Sequence, residues 1–289
     1  MDSGSTDNTM EILKTYSQVK VFEIPPSEFN HGDTRNFGVS KASGEFVLLT
    51  VGDARAYDEY WIQHLLAGFD SPEVAGVCGQ QVVPHDADKN PLQWFRPVDA
   101  PQKTKYAFTK EEFDALPAQK RKWACGWDDV TAMYRREVLL RIPFQRTSYC
   151  EDALWAKEAL LTGYTLVYNF AARVYHYHSE NPDFTFKVSL TARYFAYRNL
   201  QYVYPKPALP LRRKLSMIKA LALANAVSPV KKWDWFMYNI NHYKAEKKAH
   251  QTFIEALRQG NSTLDKVHEQ FCGKPPIPLK TKKHEPALS

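Results

Sequence analysis

Groups able to do chemistry gather at five places in this chain: Asp2-Ser3-Gly4-Ser5-Thr6-Asp7-Asn8-Thr9, His31 with Asp33 and Arg35, Gly52-Asp53-Ala54, Glu151-Asp152, and His176 with His178. A carboxylate accepts hydrogen bonds, ligates hard cations and takes up a proton. Imidazole does the last two near neutral pH, and a guanidinium presents a planar fork of donors to phosphate or carboxylate. Each group also has a plain structural use. Asp2 and Asp152 can cap helices, Asp53 can sit in a turn, and the two histidines can simply pack.

The elements that must hold these groups follow from periodicity. Residues 2–9 form a cluster of turn and cap residues feeding a short helix with Met10, Ile12, Leu13 and Tyr16 at helical spacing. Val19 to Ile24 reads as a strand, and Thr34 to Ser40 as a helix. Phe46 to Val51 is a short, apolar, β-rich run, the pattern of a strand buried on both faces, and Asp53 stands at its end. Asp58 is placed to cap a helix through Trp61, Leu65 and Phe69, and Ala75 to Val83 is a further strand. This alternation predicts an open α/β sheet, whose ligands lie beyond the carboxyl ends of the strands, where Asp2 and Asp53 fall.

Residues 84–130, rich in proline and aromatics, read as an irregular stretch framing a pocket. Glu151-Asp152 opens a helix that stops at Gly163. The helix dipole there is expected to lower the carboxylate pKa. Thr165 to Tyr168 and Arg173 to His178 read as two strands, and the period of two puts His176 and His178 on one face. Beyond residue 183 the pattern is helical, in stretches near 184–204, 211–226 and 233–257. The Pro- and Lys-rich end, 275–289, reads as a disordered tail.

With 289 residues and 44% hydrophobic composition the chain can bury a full core. It has no run of roughly 18 apolar residues and no secretory leader pattern, so a cytoplasmic protein is expected. Cys78, Cys125, Cys150 and Cys272 are far apart, without a CxxC pair, and read as reduced thiols. The net charge of +6 is uneven: residues 205–289 carry 16 Lys+Arg against 6 Asp+Glu, while residues 1–204 carry 22 against 26. The basic extension suits peripheral contact with an anionic membrane face, a polyanion or an acidic partner, or is a solvated helical tail. Basic and aromatic residues are not interleaved on a recognisable platform, so no nucleic-acid partner is expected.

In order, Asp2-Ser3-Gly4-Ser5-Thr6-Asp7-Asn8-Thr9, His31-Gly32 with Thr34-Arg35-Asn36, Gly52-Asp53-Ala54, Arg135-Arg136 with Pro143-Phe144, Glu151-Asp152 and His176-Tyr177-His178 resemble family-2 glycosyltransferases. Within that family the likeness is to the rhamnosyltransferases of polysaccharide synthesis, over about residues 1 to 180. The resemblance implies a GT-A fold: an α/β, open, mostly parallel sheet in residues 1–180, with a helical C-terminal extension at 181–274 before the tail. Family members carry a strand, a helix and a second strand ahead of the DSGSTD loop, so the chain is expected to be truncated at its N-terminus.

By the same resemblance Asp2, with Ser3 beside it, recognises the nucleotide base, and Arg35 reaches the diphosphate, with His31 and Asp33 in the same loop. Asp53 holds a divalent cation, Mg2+ or Mn2+, with His176 or His178 as a further ligand. Asp152 of the Glu151-Asp152 pair is the general base on an acceptor hydroxyl. Trp94, Trp123, Trp127 and Trp155 are candidate sugar platforms or core residues. The implied reaction is inverting transfer from a UDP- or dTDP-sugar to a saccharide or lipid-linked saccharide. The alternative is a non-catalytic truncated relative that binds saccharide or membrane.

Overall fold

The computed structural model describes residues 1–86, 88–94 and 102–273, so the expected tail at 275–289 lies outside the described residues. Six strands form one sheet: β1 (Phe46–Thr50), β2 (Arg55–Ala56), β3 (Val74–Val82), β4 (Lys103–Tyr106), β5 (Thr131–Arg135) and β6 (Thr165–Tyr175). Their order is β1-β5-β3-β6-β2, with β4 also on β6. The strands β1, β3 and β6 run in one direction. Of these, β3 and β6 are direct parallel neighbours, and β5 lies antiparallel between β1 and β3. The short β2 and β4 pair antiparallel with successive stretches of β6.

Helices α1 (Thr9–Lys14) and α2 (His31–Lys41) precede β1, and α3 (Trp61–Leu66) stands between β2 and β3. Asn30 caps α2 by accepting from Asp33 N at 3.2 Å. Two expectations shift here. Val19 to Ile24 makes only a single parallel bridge, Asp2 to Glu23, and Asp58 accepts from Tyr60 N at 2.9 Å in the turn before α3 instead of capping that helix. The stretch read as irregular holds α4 (Pro91–Trp94), β4, α5 (Lys110–Ala115) and α6 (Ala118–Ala124). Thr109 and Glu112 cap α5 reciprocally, a signal present in the sequence but obscured by the surrounding prolines. After β5 come α7 (Arg136–Arg141) and α8 (Glu151–Leu161).

The two strands expected near 165–178 are one. Between them β3 and β6 lose register, β3 passing from Cys78 to Gln80 while β6 passes from Tyr168 to Arg173. Gly79 sits at this irregularity, where a Cβ would lie 2.3 Å from Ala172 O, so only glycine allows the approach. The shift aligns Gln81 and Val82 with Val174 and Tyr175 and carries the chain onward to His176.

The core under the sheet is aromatic. Trp155 of α8 meets Tyr134 of β5 edge to face at 4.6 Å, with Trp127 and Phe144 around them. The polar edges of this cluster are used, Trp127 Nε1 donating to Tyr134 Oη at 2.7 Å and Trp155 Nε1 to Ile142 O at 2.9 Å. A second core joins α9 (Pro182–Leu200), α11 (Pro229–Arg258) and α12 (Asn261–Cys272) through Leu190, Ala249, Phe253 and Leu264. Helix α10 (Leu211–Leu223) lies between α9 and α11 in the chain. Helix α9 contributes Phe186 and Leu190 to the helical core and Leu200 to the core of the sheet.

Candidate active site

Asp53, just beyond β1, and His176 and His178, just beyond β6, converge although the chain separates them widely. His176 Nε2 is 3.4 Å from Asp53 Oδ1, and His178 Nε2 is 3.4 Å from Asp53 Oδ2. The hydrogen bond of His176 to Gln81 fixes which ring nitrogen carries a proton. Gln81 Nε2 donates to Asp128, a carboxylate that only accepts, so Gln81 Oε1 faces His176 Nδ1, 2.6 Å away. Nδ1 therefore donates, and the buried Nε2 turns its lone pair toward the Asp53 carboxylate without a hydrogen-bond partner.

Two bases facing one another require a positive charge between them. The 3.4 Å gaps exceed the 2.7–2.9 Å typical of a charge-assisted hydrogen bond, and three donor atoms within 4.8 Å of one another suit a cation with ligands at about 2.1 Å. The residues thus fit a divalent cation, with both histidines and not only one available. The Gln81-Asp128 pair orients His176, as outer partners of metal-binding imidazoles do.

Opposite in character is an acidic wall built by α8 and the turn before β5. Cys150, the residue before α8, has φ 63° and ψ 27°, a left-handed conformation costing a non-glycine residue about 1–2 kcal/mol. That turn sends Glu151 and Asp152 inward. Glu151 and Asp129 both pair with Arg35 of α2, the second at 3.1 Å. Asp129 also accepts from the Tyr134 hydroxyl. Two of the nitrogens expected to reach a diphosphate from Arg35, Nε and Nη1, are therefore engaged by buried carboxylates. Glu151, expected beside the base, is an ion-pair partner.

Among the described residues no cation pairs with Asp152 in this way. Burial, followed by Asp129 and Glu151, pushes its pKa well above the ordinary carboxylate value, and one hydrogen bond from Ala153 N opposes this only in part. The dipole expected to lower it loses to desolvation and like charge. Asp129 is likewise raised by burial, to about 6, despite Arg35. Asp129 and Asp128 escaped the sequence reading. The signal was an acidic pair ahead of the buried run Thr131 to Arg135.

A cavity of about 550 Å³ joins these parts. Asp53, His176 and His178 line it together with Asp152, Glu151, His31 and Arg35, and Phe195 and Asn199 of α9 complete the wall. Among the described residues lining it, Asp2 and Ser3 do not occur. Asp2 is held by its own turn: its carboxylate accepts from Gly4 N at 2.9 Å, Ser5 N at 3.0 Å and the Ser5 hydroxyl. The Ser5 hydroxyl first, then these amides, keep its pKa low. Asp33 pairs with Arg146. Of the tryptophans, Trp155 is core, Trp127 is almost wholly buried with an edge on the cavity, and Trp123 is exposed away from it. The side chain of Trp94 lies outside the described residues.

An α/β sheet thus brings a cluster fit for a cation and a carboxylate of raised pKa to one cavity, and sequence comparison gives the family. Residues 1–142 match the model of glycosyl transferase family 2, and the chain belongs to that family. It is 29% identical over 201 residues to the O-antigen chain rhamnosyltransferase RfbN of Salmonella typhimurium, a match covering 68% of this chain and 60% of that protein. It is 33% identical over 200 residues to the O-antigen chain rhamnosyltransferase WbaN of Salmonella anatum, covering 68% and 59%. The chain thus spans about 60% of the length of these relatives. Among solved structures, the mannosyltransferase PcManGT from Pyrobaculum calidifontis, in complex with GDP-Man and Mn2+, aligns with a TM-score of 0.46 at 15% identity, covering 85% of this chain and 76% of that one.

Proposed function

We propose that the chain transfers a sugar from a UDP- or dTDP-linked donor to a hydroxyl of a saccharide or lipid-linked saccharide, with inversion. The observation that carries this is the single cavity shared by the Asp53-His176-His178 cluster and Asp152. The names of the relatives make rhamnose the first donor sugar to test and a polysaccharide chain the first acceptor class.

Asp53, His176 and His178 hold the Mg2+ or Mn2+ ion. A cation there offsets the charge that builds on the diphosphate as it leaves. Asp152 takes the proton of the acceptor hydroxyl as its oxygen bonds to the anomeric carbon and the bond from that carbon to the diphosphate oxygen breaks. A pKa raised by burial makes Asp152, once ionised, a stronger base than an ordinary carboxylate. Arg35 pairs with Glu151 and Asp129 and fixes both behind it. The lone pairs left on Asp2, with Ser3 beside it, accept from the imide of uracil or thymine.

Release of nucleoside diphosphate from UDP- and dTDP-hexoses, rhamnose included, checks this directly. Release that needs both a divalent cation and a saccharide acceptor, and that Asp152→Asn abolishes, is expected. Cation-independent release unaffected by Asp152→Asn would defeat the mechanism.

The same reading includes peripheral contact with the inner face of a membrane, in a cytoplasmic protein. Among the described residues no helix is long and apolar enough to cross a membrane. Helix α10 carries two apolar stripes: Met217 and Leu221 pack inward, while Leu211, Leu215 and Ile218, one helical face at i, i+4 and i+7, are 71%, 57% and 53% exposed. Lys214 and Lys219 flank the exposed stripe, an arrangement suited to an anionic interface.

A further inference from the structure

A second cavity, of about 850 Å³, shares His176 and His178 with the candidate active site and is otherwise lined by different residues. Part of its wall is aromatic: Tyr57 and Tyr175 lie 5.1 Å apart, inclined by 39°, and Tyr177 and Tyr238 continue the surface. Another part is one face of α11, where four-residue steps align Tyr238, His242 and Glu246, with Glu180 across from them.

The polar groups on this surface include acceptors as well as the tyrosine hydroxyls. His242 Nδ1 lies 3.0 Å from Tyr238 O, and a carbonyl only accepts, so Nδ1 carries the proton and Nε2 the lone pair. That Nε2 is buried and makes no hydrogen bond of good geometry, with the Glu180 backbone beside it. Glu180 and Glu246 add carboxylate oxygens to the same wall. Among the described residues lining the cavity Arg173 is the one Lys or Arg, and its guanidinium lies 5.9 Å over the Tyr57 ring.

A ligand for this surface must bring several donors, flat apolar faces and no negative charge. Sugar hydroxyls and the C–H faces of a pyranose meet all three demands, and a diphosphate or phosphate meets none. We propose that the second cavity binds neutral saccharide units of the acceptor, remote from the hydroxyl that reacts, and reads them through Tyr238, His242, Glu246 and Glu180. This rests on the glycosyl-transfer reading for the role of the ligand, while the site itself stands on its own chemistry. It would let the enzyme select an acceptor by the chain already built instead of by its terminal hydroxyl alone.

The test is saturation-transfer NMR on the full chain with neutral methyl hexosides and hexose disaccharides as probes, with saturating UDP and Mg2+ present. It compares the wild type with Glu246→Lys, whose side chain is exposed, and with His242→Phe. At least one disaccharide is expected to bind alongside UDP and to weaken tenfold or more in both variants, with melting temperature and UDP affinity unchanged. The site is refuted if no probe binds, if UDP displaces every probe that does, or if neither variant weakens binding. Failure of both UDP and dTDP to bind while the probes bind and respond to both variants would count against the glycosyl-transfer reading and support the saccharide site.

Discussion

Replacing Arg35 with methionine keeps the length of the side chain and removes the cation shared by Asp129 and Glu151. The side chains of these carboxylates are 1% and 8% exposed, and that of Arg35 is 17% exposed, so water cannot take over its role. Removing one partner of a buried pair costs about 3–5 kcal/mol, because a desolvated charge is left behind. At about 2–4 °C per kcal/mol for a chain of this size, the melting temperature should fall by roughly 10 °C near pH 8. The loss must depend on pH. Asp129 already titrates at about 6 in the fold, above its ordinary 3.8, so its protonated form favours the folded state, and that contribution disappears as pH rises through 6. Without Arg35 its pKa rises further, so the penalty is small at pH 5.5 and grows toward pH 8. Differential scanning fluorimetry across this range measures it, and the compensated variant Arg35→Met, Asp129→Asn, Glu151→Gln should recover most of the loss. A fall below about 1 kcal/mol at pH 8, or one independent of pH and of the compensating changes, would refute the reasoning.

Asp152→Asn should lower transfer by about 10²- to 10⁴-fold in a steady-state assay, and the wild-type rate should rise with pH along a limb that the variant lacks. The same change should raise the melting temperature at pH 8, since the fold binds the Asp152 proton more tightly than the unfolded chain and gives up that stability as pH rises. Gln81→Leu, which frees the His176 ring, should weaken Mn2+ binding by about 10- to 100-fold in a calorimetric titration while leaving the fold intact. Leu215→Glu with Ile218→Glu should abolish flotation with anionic vesicles; wild-type protein left wholly in the soluble fraction would exclude the membrane contact.

Much of the site was legible in the sequence because its pieces sit at element ends that periodicity locates well. Asp53 follows a buried apolar run, Glu151-Asp152 opens a helix, and a period of two links His176 to His178. Their convergence depends on sheet order and on the register shift at Gly79, and pairing partners leave no trace in a single strand's pattern. The ionisation of Asp152 was misjudged for a related reason. The dipole of its own helix is local and visible, whereas Asp129 and the cover that desolvates it arrive from elsewhere in the fold. Arg35 was assigned to a ligand because nothing nearby in sequence could claim it, and its partners lie at 129 and 151. The helices within 84–130 were missed because five prolines there outweighed the short capping signal at Thr109.

The central claim is that Asp53 and its two histidines hold the cation through which a nucleoside diphosphate binds. Calorimetric titration of UDP and dTDP into the full chain, with and without Mn2+, in wild type and Asp53→Ala, tests it most directly. Binding that requires Mn2+ and is lost in Asp53→Ala is the predicted result. Nucleotide binding equally strong without Mn2+, or unchanged by Asp53→Ala in a folded sample, would contradict it.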